Sequence, residues 1–307
     1  MNKIYALKYS SLTGGLIAVS ELTRSVSLCT RKKLFASCAL LSVIYLPVSV
    51  ASQLYTDNFW VRDYLDLAQN KGVFKVGAKD IYITTKNGNK FYFPDVPVPD
   101  FSAASNNGAS TSIGGAYSVT AAHYSPEHHG ITTQSWGQTL YNKIDRMTAG
   151  DFAVSRLNKF VVETTGATDY ADVTLSAEQA LERYGIEYNG KRQIIGFRVG
   201  SGITEVVQDN VKYNTNKTYV PELLSASMFT VNWNAKIVDN DFDGFRNETM
   251  NGDSGSGYYI YDNMNQQWVL LGTHWGIIKA NGDKYLSMFE RYNSALVENI
   301  KSFFLKI

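Results

Sequence analysis

The sequence predicts an all-β domain of two barrels, bracketed by an N-terminal and a C-terminal helix. Three observations predict it. From about residue 73, short β-branched and aromatic runs alternate with Gly, Asn and Asp turn signals. Helical spacing is confined to short stretches, chiefly near the start of the domain, around 176–184 and around 293–305. Residues 52–307 also have a length at which all-β barrels run as a single domain.

The 307 residues are 44% hydrophobic and 19% charged, an ordinary globular balance. The net charge of +1 is unevenly spread. Residues 1–51 hold six Lys or Arg and one acid, which leaves 23 basic against 27 acidic residues downstream. That mildly acidic remainder gives no electrostatic basis for nucleic-acid binding.

Residues 1–51 read as an extended signal peptide. The apolar run Leu34–Val50 follows Arg31-Lys32-Lys33, and Ser49 and Ala51 put small residues at the −3 and −1 positions of a cleavage site after Ala51. The domain is expected to be exported to the periplasm, cell surface or medium, in transient contact with export machinery. Both cysteines, Cys29 and Cys38, lie in this leader, so the domain beyond it has no thiol to form a disulfide.

The elements follow in order. Thr56 or Asp57 can cap a first helix that carries Phe59, Trp60, Tyr64, Leu65 and Leu67 and stops at Gly72. Asp80–Thr85 and Lys90–Phe93 flank Asn87-Gly88, a strong hairpin signal, and Pro94, Pro97 and Pro99 end the pair. Residues 102–112 are a polar loop, and Ile113–Ser118 form the next strand. Barrel one is expected over about 73–175 and barrel two over about 190–290. Ser176 and Gln179 are spaced as a capping box for a linker helix that ends at Gly185. The last helix, about 293–305, presents Leu296, Ile300, Phe303 and Phe304 on one face.

Two motifs carry chemistry. In Asn251-Gly252-Asp253-Ser254-Gly255-Ser256-Gly257, small residues on both sides of Ser254 allow a tight turn that exposes its hydroxyl. They also let the amides of Gly252 and Ser254 converge as an oxyanion hole. Val119-Thr120-Ala121-Ala122-His123 supplies an imidazole able to take and return the serine proton. His123 precedes Ser254 by 131 positions, a separation that suits a site at the seam of two barrels. A carboxylate between them should orient the histidine, and both Asp151 and Asp172 qualify. No metal or other cofactor is called for, since no His, Cys and carboxylate cluster has ligand spacing.

The Thr120–His123 stretch resembles the histidine segment of trypsin-like proteases, and Asp172-Val-Thr-Leu resembles their aspartate segment. The whole chain resembles the protease domain of the IgA-protease-like serine protease autotransporters, including those of enterobacteria. The resemblance rests on Met1–Tyr5 and Val19–Leu22 in the leader, Asn70–Ala78, Pro99–Ser102, the GDSGS around Ser254 and the run Arg156–Glu163. It implies a two-barrel chymotrypsin-like fold and favours Asp151 over Asp172, because the family's aspartate precedes a segment patterned like Arg156–Glu163. It implies a secreted serine endopeptidase acting on protein substrates, expected to be extracellular or surface proteins of a host, and a monomer. Three details differ from the family: Thr120-Ala121-Ala122-His123 is more trypsin-like than in many enterobacterial members, Gly257-Tyr258-Tyr259 stands where Pro-Leu-Phe is usual, and the family's β-helical stalk and outer-membrane barrel are not in the 307 residues, as expected of a fragment, truncated product or isolated domain.

The resemblance to two-barrel proteases implies substrate contacts from His274, Trp275 and Gly276, on a strand that runs along the specificity pocket and pairs with the substrate backbone. Glu248, six residues before Ser254, is expected at the pocket floor, where it would favour Lys or Arg at the cleavage site. Two rivals share parts of this pattern: a trypsin-like protease unrelated to autotransporters, and a catalytically inactive passenger that serves as a binding module.

Overall fold

The computed structural model describes residues 5–10, 15–20, 50–124, 133–200, 203–208, 211–214, 224–280 and 284–304. Residues 34–49 of the leader's apolar run and both cysteines lie outside them, as do His128 and His129. Residues 1–46 form a unit of their own, in which β1 (Tyr5–Ser10) and β2 (Gly15–Ser20) make an antiparallel hairpin. Everything below concerns the second unit, residues 47–307.

That unit starts with β3 (Val50–Tyr55), which runs through the Ala51–Ser52 bond. The first helix, α1 (Val61–Ala68), begins later than expected. Thr56 does not cap it, because the Thr56 hydroxyl donates to the Val207 carbonyl and keeps the chain extended. The helix start is instead closed by Asp63, whose carboxylate accepts the Trp60 N–H at 2.9 Å. Tyr64 and Leu67 are buried on its inner face. β4 (Tyr82–Thr84) and β5 (Lys90–Tyr92) pair across the Asn87-Gly88 turn, with Gly88 at φ +85°. Phe59, Phe91 and Phe93 from this region pack on Phe245 with ring centroids 5.1, 6.0 and 5.6 Å away, alongside Tyr64 stacked on the same ring at 4.1 Å. Buried aromatics of this size contribute about 1.5–3 kcal/mol each. They anchor the strand that leads towards Ser254.

The next five strands are β6 (Thr111–Ser112), β7 (Tyr117–Ala121), β8 (Thr133–Trp136), β9 (Thr139–Ala149) and β10 (Phe152–Leu157). They form an antiparallel sheet in the order β6-β7-β10-β9-β8, whose edges do not pair with each other among the described residues, a half-barrel. β7 also starts later than the expected strand, because Gly114 and Gly115 both turn through positive φ. The linker helix α2 (Ala177–Tyr184) has the expected capping box. The Gln179 N–H donates to Ser176 Oγ at 3.2 Å, and the Ser176 N–H donates to Gln179 Oε1 at 2.9 Å.

The remaining strands are β11 (Gly185–Tyr188), β12 (Lys191–Gly200), β13 (Ile203–Gln208), β14 (Val211–Asn214), β15 (Ser225–Asn232), β16 (Ile237–Asp239), β17 (Asp241–Phe242), β18 (Phe245–Thr249), β19 (Gly257–Asp262), β20 (Gln267–Lys279) and β21 (Tyr285–Arg291). Strands β12-β15-β16-β21-β20-β19 form a sheet that closes on itself through β12 pairing with β19, a six-stranded barrel. β3 lies between β13 and β18, parallel to the first and antiparallel to the second. The chain ends in α3 (Ser294–Phe304), whose start is capped by Asn293 accepting the Leu296 N–H. Its buried face is Val297 and Ile300, with Leu296 partly covered; Phe303, expected on that face, is 54% exposed.

Candidate active site

Three segments meet at the seam between the half-barrel and the closed barrel. β7 carries Ala121 into a turn that holds His123, and β10 pairs with β7 so that Phe152 stands opposite Ala121. This register puts Asp151, the residue just before β10, against the turn. The Ala122 N–H donates to the Asp151 carbonyl at 2.7 Å, and the His123 N–H donates to Asp151 Oδ1 at 2.9 Å. The other carboxylate oxygen, Oδ2, lies 2.7 Å from His123 Nδ1. With Nδ1 bonded to a carboxylate, Nε2 is the ring nitrogen left to accept a proton. His123 Nε2 stands 2.7 Å from Ser254 Oγ.

The other aspartate, Asp172, is engaged elsewhere. It accepts from the Thr174 hydroxyl at 2.6 Å and the Thr174 N–H at 3.1 Å, and these bonds hold its carboxyl below the usual carboxylate range.

Ser254 sits in the turn between β18 and β19. Asp253 closes that turn: its N–H donates to the Met250 carbonyl at 3.1 Å, Oδ2 accepts the Met250 N–H at 3.1 Å, and its carbonyl accepts the Ser256 N–H at 3.0 Å. Gly252 lies inside this loop at φ +114°, a conformation open to glycine and strained for other residues. The turn is tied to β20, because the Gly255 N–H donates to the His274 carbonyl and the His274 N–H to the Ser256 carbonyl. Gly255, at φ +87°, presses onto the histidine-bearing strand: a Cβ there would fall 2.1 Å from Thr120 Oγ1 and 2.3 Å from the Ala109 carbonyl. The lack of a side chain at this position is what lets the serine turn approach β7.

The expected substrate pocket differs in its side chains. The His274 side chain is buried, with Nδ1 3.0 Å from the Tyr258 hydroxyl, so that only its backbone is left for the expected pairing with substrate. Burial first, and then the nearby Arg198 guanidinium and His123 ring, hold this imidazole well below its usual pKa and therefore neutral. The adjacent Trp275 is 46% exposed and Gly276 half-buried, so both remain accessible. Glu248 is not an unpaired floor carboxylate. It is buried, and Arg246 Nε reaches it at 2.9 Å, the Tyr55 hydroxyl at 3.0 Å and the Tyr285 N–H at 2.9 Å. Its charge is already compensated, which removes the reason to expect Lys or Arg at the cleavage site. The signal was present: Arg246 and Glu248 are two apart on a strand and share a face.

Sequence reasoning missed Arg198. It lies in the apolar run Ile194–Val199 of β12, and a lone cation in such a run is a signal that it must be paired. It is completely buried, with Nη1 2.8 Å from Asp253 Oδ1. Among the described residues, no group of three or more His, Cys, Asp or Glu is arranged to hold a metal ion.

Comparison with known proteins places this geometry in context. The family model described as immunoglobulin A1 protease matches residues 52–293. The chain is 56% identical over 306 residues to the serine protease EspC of Escherichia coli O127:H6, covering 99% of this chain and 23% of that protein. It is 46% identical over 312 residues to the serine protease EspP of Escherichia coli O157:H7, covering 98% of this chain and 24% of EspP. The chain therefore spans about a quarter of the length of these relatives. Among solved structures, the passenger domain of plasmid encoded toxin, an autotransporter enterotoxin from enteroaggregative Escherichia coli, aligns with a TM-score of 0.73 at 45% identity, over 81% of this chain and 27% of that one. The Haemophilus influenzae Hap adhesin aligns with a TM-score of 0.60 at 21% identity, over 81% of this chain and 28% of that one, a likeness of fold alone.

Proposed function

The chain belongs to the immunoglobulin A1 protease family, and from that premise we propose that residues 52–307 are an exported serine endopeptidase working through Ser254, His123 and Asp151. One observation carries the reading: Ser254 Oγ, His123 Nε2 and the Asp151 carboxylate stand in a continuous line of two 2.7 Å contacts. Ser254 Oγ attacks the scissile carbonyl carbon as its proton passes to His123 Nε2. Asp151 keeps the ring in the tautomer with Nδ1 protonated and stabilises the imidazolium that forms. The tetrahedral oxyanion is bound by the backbone amides of Gly252 and Ser254. The imidazolium then gives its proton to the leaving amine, the C–N bond breaks, and an acyl-enzyme remains on Ser254. Water, deprotonated by His123, attacks the acyl carbon, and Ser254 Oγ recovers the proton as the acid product leaves.

The substrates are proteins, in keeping with relatives named as serine proteases. Trp275, exposed, and Gly276, half-buried, on β20 beside the serine turn are the proposed contacts for substrate backbone.

The test is turnover of casein and of fluorogenic peptides by the wild type, Ser254→Ala, Asp151→Asn and Asp172→Asn. Ser254→Ala should lose several orders of magnitude in kcat, and Asp151→Asn about 10⁴-fold, because an amide favours the wrong histidine tautomer. Asp172→Asn should leave kcat within about twofold, since groups away from the triad add little. Cleavage by Ser254→Ala at the wild-type rate, or a wild type that reacts with no fluorophosphonate probe, would refute the assignment.

A further inference from the structure

The completely buried Arg198 has no part in the proton transfers above, yet it meets the chain one residue from the nucleophile. Its Nη1 lies 2.8 Å from Asp253 Oδ1 and 3.3 Å from Ser256 Oγ. Ser52 Oγ approaches the same carboxylate from β3, 3.2 Å from each oxygen. Three distant segments, β3, β12 and the Ser254 turn, thus converge on one carboxylate. Their packing leaves no room at Gly200, where a Cβ would fall 2.2 Å from Arg198 Nη1, 2.5 Å from Asp253 Oδ1 and 2.6 Å from Ser52 Oγ.

Burying a guanidinium is costly, and this one leaves Nε and Nη2 without a hydrogen-bond partner among the described residues. A residue kept at that cost, in a strand where an aliphatic would pack, needs a reason beyond packing. The reason lies in what Asp253 does with its other oxygen. Oδ2 accepts the Met250 N–H, and that bond, with Asp253 N–H to Met250 carbonyl, closes the loop containing Gly252. The orientation of the Gly252 and Ser254 amides therefore depends on where the Asp253 carboxylate is held.

We propose that Arg198 is a positioning residue for the oxyanion hole, fixing the Asp253 carboxylate from β12 so that the Gly252 and Ser254 amides converge on the developing oxyanion. This rests on Ser254 being the nucleophile. Arg198 touches neither substrate nor reacting atoms; it acts through Asp253. Because the oxyanion exists only in the transition state, the effect belongs in kcat and not in substrate affinity.

The experiment compares wild type, Ser254→Ala, Arg198→Lys, Arg198→Met and Arg198→Met/Asp253→Asn, each first checked for cooperative thermal unfolding. Steady-state kinetics with a fluorogenic peptide are measured from pH 5 to 10. Folded Arg198→Met should lose about 100-fold or more in kcat, the scale of losing one oxyanion donor, with KM within about threefold. Arg198→Lys keeps the charge but reaches the carboxylate through one donor, and should fall about tenfold in kcat at unchanged KM. The pH profile separates positioning from scaffolding. Without its cation, the buried Asp253 carboxylate takes up a proton more readily, so kcat of Arg198→Met should gain an additional ionisation on its acid limb. The Arg198→Met/Asp253→Asn double variant should lack it. A folded Arg198→Met with wild-type kcat, or with its loss confined to KM, overturns the proposal. So does an Arg198→Lys with wild-type kcat where Arg198→Met fails to fold, since that pattern is a scaffold role alone. An inactive wild type would instead refute the Ser254 assignment.

Discussion

At the scale of single residues, the seam is organised by what each buried polar group finds as a partner. His123 is fixed from both sides, by a carboxylate on Nδ1 and a hydroxyl on Nε2. The neighbouring His274 is the opposite case: a buried imidazole, depressed well below its usual pKa chiefly by burial and then by Arg198 and His123, with Tyr258 as its hydrogen-bond partner. The sign of its effect on stability follows from that depression. Below the ordinary histidine pKa of about 6.5 the unfolded chain binds a proton that the folded chain refuses. His274 therefore adds acid sensitivity: its stability is complete above about pH 6.5 and is lost as pH falls through the interval below it, by up to about 1.4 kcal/mol per pH unit. Thermal midpoints measured from pH 7.5 to 5 should fall more steeply for the wild type than for His274→Gln, which keeps a hydrogen-bonding side chain and cannot titrate. Parallel curves would show that the imidazole stays protonatable in the folded protein.

At the scale of elements, turns and caps written in adjacent residues formed as the sequence predicts, and elements that depend on distant partners shifted. Ser176 and Gln179 make the capping box of α2, and Asn87-Gly88 makes the β4–β5 hairpin, because each is closed by residues within a few positions. The start of α1 moved from Thr56 to Trp60 because the β3 strand claims Thr56 through a bond to Val207, a partner 151 residues away. The apolar face of α3 is rotated for a similar reason: the helix packs against β9 and β10, and those strands select Val297 and Ile300. The contact between the serine turn and β7 is the element-level feature on which the proposed mechanism depends. Gly255→Ala would drive a Cβ into Thr120 Oγ1 and the Ala109 carbonyl at a positive φ. Since a displacement of about 1 Å at a reacting group costs about 100-fold, this variant should lose at least that factor in kcat/KM. Full activity in Gly255→Ala would mean that the turn and β7 part without moving Ser254 from His123.

At the scale of the whole molecule, the site is assembled from sheets that are far apart in sequence and of unequal completeness. The barrel that carries Ser254 closes through β12 and β19, whereas the edges of the sheet that carries His123 and Asp151 do not pair among the described residues. The C-terminal helix covers part of this sheet, with Val297 and Ile300 in the main core. Phe152, next to Asp151, meets Tyr292, just before that helix, with ring centroids 5.5 Å apart. Removing a buried aliphatic from α3 should therefore destabilise the sheet that holds two of the three proposed catalytic residues. Ile300→Ala is expected to cost about 2–5 kcal/mol and to lower the melting temperature by several degrees or more. A change below about 0.5 kcal/mol by denaturant titration would mean that α3 is not part of the cooperative unit.

The amino-acid sequence alone determined the kinds of chemistry and the local geometry around them. A serine between glycines, a histidine after a β-branched run ending in two alanines, a capping box and a hairpin turn all act through residues a few positions apart, where backbone sterics and short hydrogen bonds decide the outcome. Tertiary structure decided everything that depended on register and burial. Asp151 meets His123, and Asp172 does not, because Phe152 pairs with Ala121; the Glu248 and His274 side chains leave the substrate surface because Arg246 and Tyr258 receive them; Arg198 reaches Asp253 because β12 passes behind the turn. The physical reason is common to all of these. Which strand lies beside which, and by what offset, is set by the closure of the sheets as a whole, and the buried polar groups can find their partners only once that closure has brought them together.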